Sequence, residues 1–249
     1  MDHPGPSPTG ERTLPGIPHE NYWFRRHEAA YLFALARLRT GPVLDAGCGE
    51  GFGTRILSRR ADLVEAIDFD AAAAAHAQGR YQDERIHVRQ GDVANLPYPD
   101  AHFAGAVFFQ VIEHLPDQPR AVAELARVLR PGGVLVCSTP NRLTFSPGRD
   151  APLNPFHTRE FNAAELAELL GLHFRVKGIY GSFHGRRLRM VEGLARTDLP
   201  SAQLAGAPEQ WPAWLRLVVR RVRASHFRFS THDVERSLDL VAVARKAPA

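Results

Sequence analysis

Val43-Leu44-Asp45-Ala46-Gly47-Cys48-Gly49-Glu50-Gly51-Phe52-Gly53-Thr54 is the stretch that decides the fold. A short apolar run beginning at Pro42 enters a cluster of glycines, and a helical pattern follows over Thr54–Arg60. Glycine permits positive φ and lets the backbone approach a ligand closely. A strand, a glycine turn and a helix in that order form the first unit of an open parallel sheet. Such sheets bind their ligands beyond the C-terminal ends of the strands.

Outward from this turn the pattern keeps alternating. Strands are expected at Leu63–Ile67, Ile86–Val88, Phe103–Phe109, Val134–Cys137, Phe174–Tyr180 and Leu238–Ala244. Between them lie helical patterns at Ala71–Gln78 and Arg120–Leu129, and a further helix opens on the capping-box pair Asn162 and Glu165. A helix over His27–Leu38 precedes the first strand. Strands spaced by helices imply an α/β Rossmann-like fold, a seven-stranded, mostly parallel sheet with helices on both faces. Residues 181–236 break the alternation and read as a helical insertion before the last strand, on the substrate side. Trp211–Arg223 is its clearest helix. Residues 1–20 carry five prolines and read as a flexible arm, leaving 21–249 as one domain.

Composition excludes several classes. No apolar run approaches the ~20 residues that span a bilayer, and the first 20 residues hold no apolar signal core. Cys48 and Cys137 are too few and too far apart for a disulfide framework or a zinc site, so a reducing cytoplasm is the expected setting. The net charge is only +4, but residues 175–228 hold eleven Arg and Lys against three acids. The basic helix at 211–223 is therefore the candidate for peripheral contact with a membrane or an anionic substrate. With no stacking-aromatic array beside it, nucleic acid is not the expected partner.

The acids around the turn narrow the ligand. No Gly-Lys-Ser/Thr is present, which excludes a triphosphate loop. Asp68 ends the second strand, 23 residues after Asp45, where it can accept hydrogen bonds from both ribose hydroxyls. Asp45, just before the glycines, would repel a pyrophosphate but suits a neighbouring ammonium or sulfonium. The pair favours S-adenosylmethionine (SAM) over a dinucleotide.

With these motifs placed, the chain resembles the class I SAM-dependent methyltransferases. The resemblance runs in order through Val43–Thr54, Asp68, Gly91-Asp92-Val93, Gln110-Val111-Ile112-Glu113-His114-Leu115 and Arg127–Gly133, covering residues 43–140. It implies that Gly47, Gly49 and Gly51 line the methionine part of SAM, that Asp68 holds the ribose, that Asp92 and Val93 flank the adenine, and that Gln110 lies beside the methionine. Thr9–Arg12, Glu20–His27 and Asn154-Pro155-Phe156-His157-Thr158-Arg159-Glu160-Phe161 are similar to stretches of bacterial glycan O-methyltransferases, including those that mature mycofactocin oligosaccharides. By that likeness Tyr22, Trp23 and Arg26 cap the cofactor. Surface aromatics that anchor the first helix are the other reading.

Methyl transfer to a hydroxyl needs a group to take the proton. The candidates are His114 and His157, with His184 behind them; each also has a plain reading as a loop-ordering residue. A metal-binding arrangement known in ubiquinone-type and small-RNA methyltransferases places two glutamates and a histidine here, with a later histidine. Gln110 stands where the first glutamate would be, which removes an anionic ligand, so no metal is expected. The expected reaction is O-methylation of a saccharide, glycan or glycolipid hydroxyl. A small-molecule ubiquinone- or polyketide-type acceptor, and RNA 2′-hydroxyls after it, are the alternatives.

Overall fold

A computed structural model describes residues 13–81 and 83–247. The Thr9–Arg12 motif and most of the expected arm lie outside the described residues. Helix α1 (Asn21–Leu35) leads into β1 (Pro42–Ala46), α2 (Phe52–Leu57), β2 (Leu63–Asp68), α3 (Ala71–Arg80), β3 (Ile86–Gln90) and β4 (Phe103–Phe109). Then come α4 (Gln118–Val128), β5 (Leu129–Pro140), the single turn α5 (Arg142–Phe145), α6 (Ala163–Gly171) and β6 (Phe174–His184). Helices α7 (Arg186–Ala195), α8 (Leu199–Leu204) and α9 (Ala213–Arg221), strand β7 (Phe227–Ser230) and strand β8 (Asp239–Lys246) complete the chain.

The sheet order is β3-β2-β1-β4-β5-β8-β6-β7. The first five strands run parallel, whereas β8, β6 and β7 add in antiparallel fashion. The sheet thus has eight strands rather than seven. The extra one, β7, lies in the insertion, too short and too interrupted by polar residues to stand out as a strand. The first helix starts at Asn21, a turn and a half before the expected His27, because Tyr22 and Phe24 are buried by partners far along the chain.

Successive strand residues face opposite sides of the sheet, and the core divides accordingly. Leu44, Phe108, Leu135 and Leu240 join the cluster beneath α4 and α6. Their neighbours Val43, Val107, Val136 and Val241 join the cluster beneath α1 and α2. A third cluster holds the insertion to α1 through Tyr22, Leu188, Trp211, Leu215, Val219 and Val222. Asn21 completes that joint: its side-chain amide donates to the Val219 carbonyl at 2.8 Å and to that of Val222 at 3.0 Å, at the C-terminal end of α9.

Candidate active site

β1 has β2 on one side and β4 on the other. The chain turns opposite ways on leaving these neighbours, which opens a crevice above the end of β1. The glycine turn forms its floor. The Gly47 and Cys48 amides donate to the Ile67 carbonyl at 2.8 and 3.0 Å, tying the turn to β2. Gly47, Gly49 and Gly51 have φ of +80°, +51° and +79°. A Cβ on Gly47 would come within 2.3 Å of Val111, while one on Gly49 would meet nothing within 4 Å. Gly53 serves a different need: its missing Cβ makes room for the Tyr31 ring.

Above this floor lies a cavity of about 710 Å³, within the usual range for a small-molecule site. Gly47, Gly49, Asp68, Asp92, Val93, Gln110 and His114 line it. The Asp68 carboxylate accepts from the Gly49 amide at 2.8 Å and from the Asp70 amide at 3.0 Å, so its orientation is set by backbone. Asp92 accepts from the Ala94 amide at 2.8 Å, shaping the turn that presents Val93. Gln110 holds an unusual φ of +54°, and its amide side chain donates to Ser138 Oγ at 3.1 Å. Such a backbone costs a non-glycine residue on the order of 1–2 kcal/mol. It is held by the Gln110 N–H bond to the Ser138 carbonyl at 2.9 Å, which continues the β4–β5 ladder past its end.

Asp45 and Gly51 are not on the cavity wall. Asp45 is buried beneath the turn, where it accepts from Thr54 Oγ1 at 2.7 Å and from the Tyr31 hydroxyl at 3.0 Å. Burial pushes its carboxyl up to about 6, against the two hydrogen bonds that favour the ionised form. Cys48 is buried too, and burial raises its thiol well above the ordinary range, which removes it as a nucleophile.

The two candidate histidines meet edge to face, with ring centroids 4.9 Å apart, but they stand differently. His114 lines the cavity, and its Nδ1 donates to the Phe156 carbonyl at 3.0 Å. A carbonyl can only accept, so the lone pair of a neutral His114 lies on Nε2. His157 is behind it, with its side chain only 4% exposed, and does not line the cavity. Its Nδ1 lies 2.8 Å from Glu160 and its Nε2 lies 3.0 Å from the Asn154 amide. Asn154 Oδ1 already accepts from the Phe156 N–H, so the amide nitrogen faces the ring. His157 therefore carries its proton on Nδ1, toward Glu160. Thr158 makes this meeting possible: its N–H donates to the Glu113 carbonyl at 2.7 Å and its hydroxyl lies 2.7 Å from the Leu115 carbonyl and 3.0 Å from that of Glu113, clipping the 154–161 loop to the turn after β4.

Glu113, buried and hydrogen-bonded by Thr139 at 3.0 Å, adds a carboxylate to the pair. Glu113, His114 and His157 each offer one potential ligand atom, all within 4.8 Å of one another. These are the three ligands that the sequence left beside Gln110, whose own side chain is bonded to Ser138 instead.

The comparisons with known proteins bear on what this cavity holds. A methyltransferase-domain family profile matches residues 44–137. A protein of Mycolicibacterium smegmatis named "Probable S-adenosylmethionine-dependent methyltransferase" is 49% identical over 242 residues, covering 95% of this chain and 93% of its own length. One of the same name from Mycobacterium tuberculosis is 48% identical over 245 residues, covering 95% and 88%. This chain belongs to the SAM-dependent methyltransferases. A solved geranyl diphosphate methyltransferase in complex with SAM aligns with a TM-score of 0.60 over 94% of this chain and 93% of its own, at 17% identity, a likeness of fold.

This methyltransferase takes SAM as its cofactor, and the cavity suits it: the side of Gly49 without a Cβ faces open space, beside the Asp68 carboxylate. Other parts of its cavity wall come from far along the chain, and of these only Arg26 was assigned from sequence. Arg26, His27 and Tyr31 of α1 line it, opposite Asp239 at the start of β8. Arg26 does not wait for a ligand carboxylate. Its guanidinium grips Asp239 with two arms, Nε at 2.6 Å from Oδ2, and bonds the Leu238 carbonyl. Burial, with the Arg26 charge beside it, pushes His27 down to about 4 and keeps it neutral. The one signal in the sequence was a charged residue, Asp239, ahead of the apolar run Leu240–Ala244. Tyr22 is not a cap: it is fully buried, with its hydroxyl 2.7 Å from His184 Nε2. His184 also pairs with Glu192 at 2.8 Å and does not line the cavity, so it is a structural histidine. Among the described residues no helix is long and apolar enough to cross a membrane.

Proposed function

We propose that this methyltransferase acts on a hydroxyl of a saccharide, glycan or glycolipid, with His114 as general base. The observation that carries this reading is the Phe156 carbonyl on His114 Nδ1, which places the basic nitrogen, Nε2, on a ring at the cavity wall. When bound, SAM supplies a methyl group activated on a sulfonium. The acceptor would give its hydroxyl proton to His114 Nε2 as its oxygen takes that methyl, with S-adenosylhomocysteine as the other product. Proton removal by a positioned base of this kind contributes about 10²–10⁴-fold.

In this reading Gly47, Gly49 and Gln110 border the methionine part, Asp68 accepts from the ribose hydroxyls, and Asp92 and Val93 flank the adenine. Asp45 acts from below, holding Tyr31 and Thr54 against the turn. His157 positions: its edge-on ring and its Glu160 partner brace His114 from behind, and the Glu160 charge would steady an imidazolium forming there. The saccharide rests on the likeness of Asn154–Phe161 to glycan methyltransferases. The loop that carries it packs directly on His114 through Phe156.

A second reading has the cluster of Glu113, His114 and His157 hold a divalent ion that would polarise the acceptor hydroxyl. The 4.8 Å convergence favours it. The Asn154 amide on His157 Nε2 opposes it, because that nitrogen would have to give up its hydrogen bond to reach an ion. Assays of S-adenosylhomocysteine formation with an oligosaccharide panel separate the two readings. Turnover that survives EDTA and vanishes in His114→Ala supports the base. Turnover abolished by EDTA and restored by a divalent ion supports the metal. If no saccharide is methylated while a phenolic acceptor is, the acceptor class proposed here is wrong.

A further inference from the structure

The insertion carries a second surface outside the cavity. The structure divides the apolar residues of α9 between two sides. Leu215, Val219 and Val222 point into the cluster with α1, whereas Trp214 and Leu217 are exposed and Val218, packed at the edge of the cluster, is half-buried beside them. With Arg221 they form an i, i+3, i+4, i+7 stripe. Helix α7 repeats the arrangement with Arg187, Met190, Val191 and Leu194. Met190, Leu194 and Leu217 are 63%, 82% and 51% exposed. The stripes are neighbours, since Arg187, Val191, Leu217, Val218 and Arg221 line one shallow groove between α7 and α9.

The charge around these stripes is mostly positive, with Glu209 before α9 an exposed acid. Arg186, Arg187, Arg189, Arg196, Arg220 and Arg221 make no ion pair with any described residue. Of the nearby acids, Glu192 is engaged by His184 and the Leu199 amide, and Asp198 caps α8 through the Ser201 amide. Leucines and a tryptophan surrounded by unpaired arginines match a surface that is apolar at depth and anionic at its rim. A soluble protein partner of ordinary composition would leave most of that charge unanswered.

We infer that the α7–α9 face docks on the surface of a bilayer containing anionic lipids. The α1 helix links this face to the cavity, because Tyr22 packs in the insertion's cluster and Arg26, one turn on, lines the cavity. A docked molecule would hold its cavity near lipid-borne acceptors.

The test is cosedimentation of the full chain, without cofactor or acceptor, with large unilamellar vesicles of phosphatidylcholine alone or mixed with phosphatidylglycerol. Its outcome is therefore independent of the methyltransferase reading. The expected result is partitioning onto the anionic vesicles only, reversed by salt. Arg187→Gln/Arg221→Gln and Leu194→Glu/Leu217→Glu should each weaken it by about tenfold or more. A second readout needs no disruptive variant: tryptophan emission should shift to the blue on anionic vesicles, and Trp214→Phe should remove the shift. Equal binding to neutral vesicles, no binding, variants that bind like wild type, or a dimer in sedimentation that the same variants dissociate would each overturn the inference. The last result would assign the face to a second copy of the chain.

Discussion

The floor of the cavity and its histidine wall are built on different principles. The floor, residues 43–70, is a backbone construction. Gly47 and Cys48 donate to Ile67, Gly49 and Asp70 donate to Asp68, and all of these residues lie within one strand–turn–helix–strand unit. The wall is a side-chain construction drawn from 40 or more residues apart in sequence: His114 on the Phe156 carbonyl, Thr158 on Glu113. Backbone geometry follows from local residue types. A wall of side chains exists only once distant loops have been docked.

Breaking the wall should produce the largest effect. His114→Ala is expected to lower kcat by about 10²–10⁴ while leaving the SAM dissociation constant within about twofold, as calorimetric titration would show. An equal loss of SAM affinity would erase the distinction between wall and floor. Breaking the floor should do the reverse. Asp68→Ala removes a carboxylate from the cavity and frees the Gly49 amide, so SAM affinity should drop by roughly a hundredfold or more, given about 1.5–3 kcal/mol per hydrogen bond to a charged group.

Asp45 tests the floor through pH. Its carboxyl lies at about 6 in the folded protein against an ordinary 3.8. The folded state therefore holds this proton more tightly than the unfolded one. The contribution to stability is full below pH 4 and is lost as pH rises through 6. Two units at 1.36 kcal/mol each make a decline of about 3 kcal/mol across that window. His27, pushed down to about 4, acts in the opposite sense over much of the same range, gaining as Asp45 loses. The measurement is accordingly a difference: urea unfolding of wild type and Asp45→Asn from pH 4 to 7. Wild type should lose stability relative to the variant as pH rises, and parallel curves would show that Asp45 does not titrate there.

The smallest expected effect sharpens the reading of the wall. Glu160→Gln removes the charge behind His157 but keeps its shape. A drop of about tenfold in kcat, with the acid limb of the pH–rate profile moved to lower pH, is the signature of a charge that steadies a protonating base. A fall in kcat with an unmoved profile would reduce Glu160 to a packing residue.

The floor could be read from the chain because glycines at 47, 49 and 51, an acid at the end of each of two strands and helical patterns between them are consequences of nearest-neighbour stereochemistry. The sheet was legible for the same reason, β7 excepted. What failed to show was long-range. The start of α1 at Asn21 depends on α9, the burial of Tyr22 depends on His184, and the strand status of Phe227–Ser230 depends on β6. Periodicity also places Trp214 with Leu215 on one apolar side of α9, whereas Trp214 is exposed and Leu215 is buried. A helix packed by only one of two apolar stripes cannot be told in sequence from one packed by both.

Sequence alone determined the α/β scaffold, the position of the glycine turn and the identity of the cofactor, because those are written in local backbone requirements and in the order of motifs. Tertiary structure decided which polar groups face the cavity. It placed Asp45 under the turn and His157 behind His114, and it set Arg26 on Asp239. The reason is physical: a side chain's tautomer, charge and exposure are set by partners that chain folding brings near, and for Asp45, His114 and Arg26 those partners lie from 9 to more than 200 residues away.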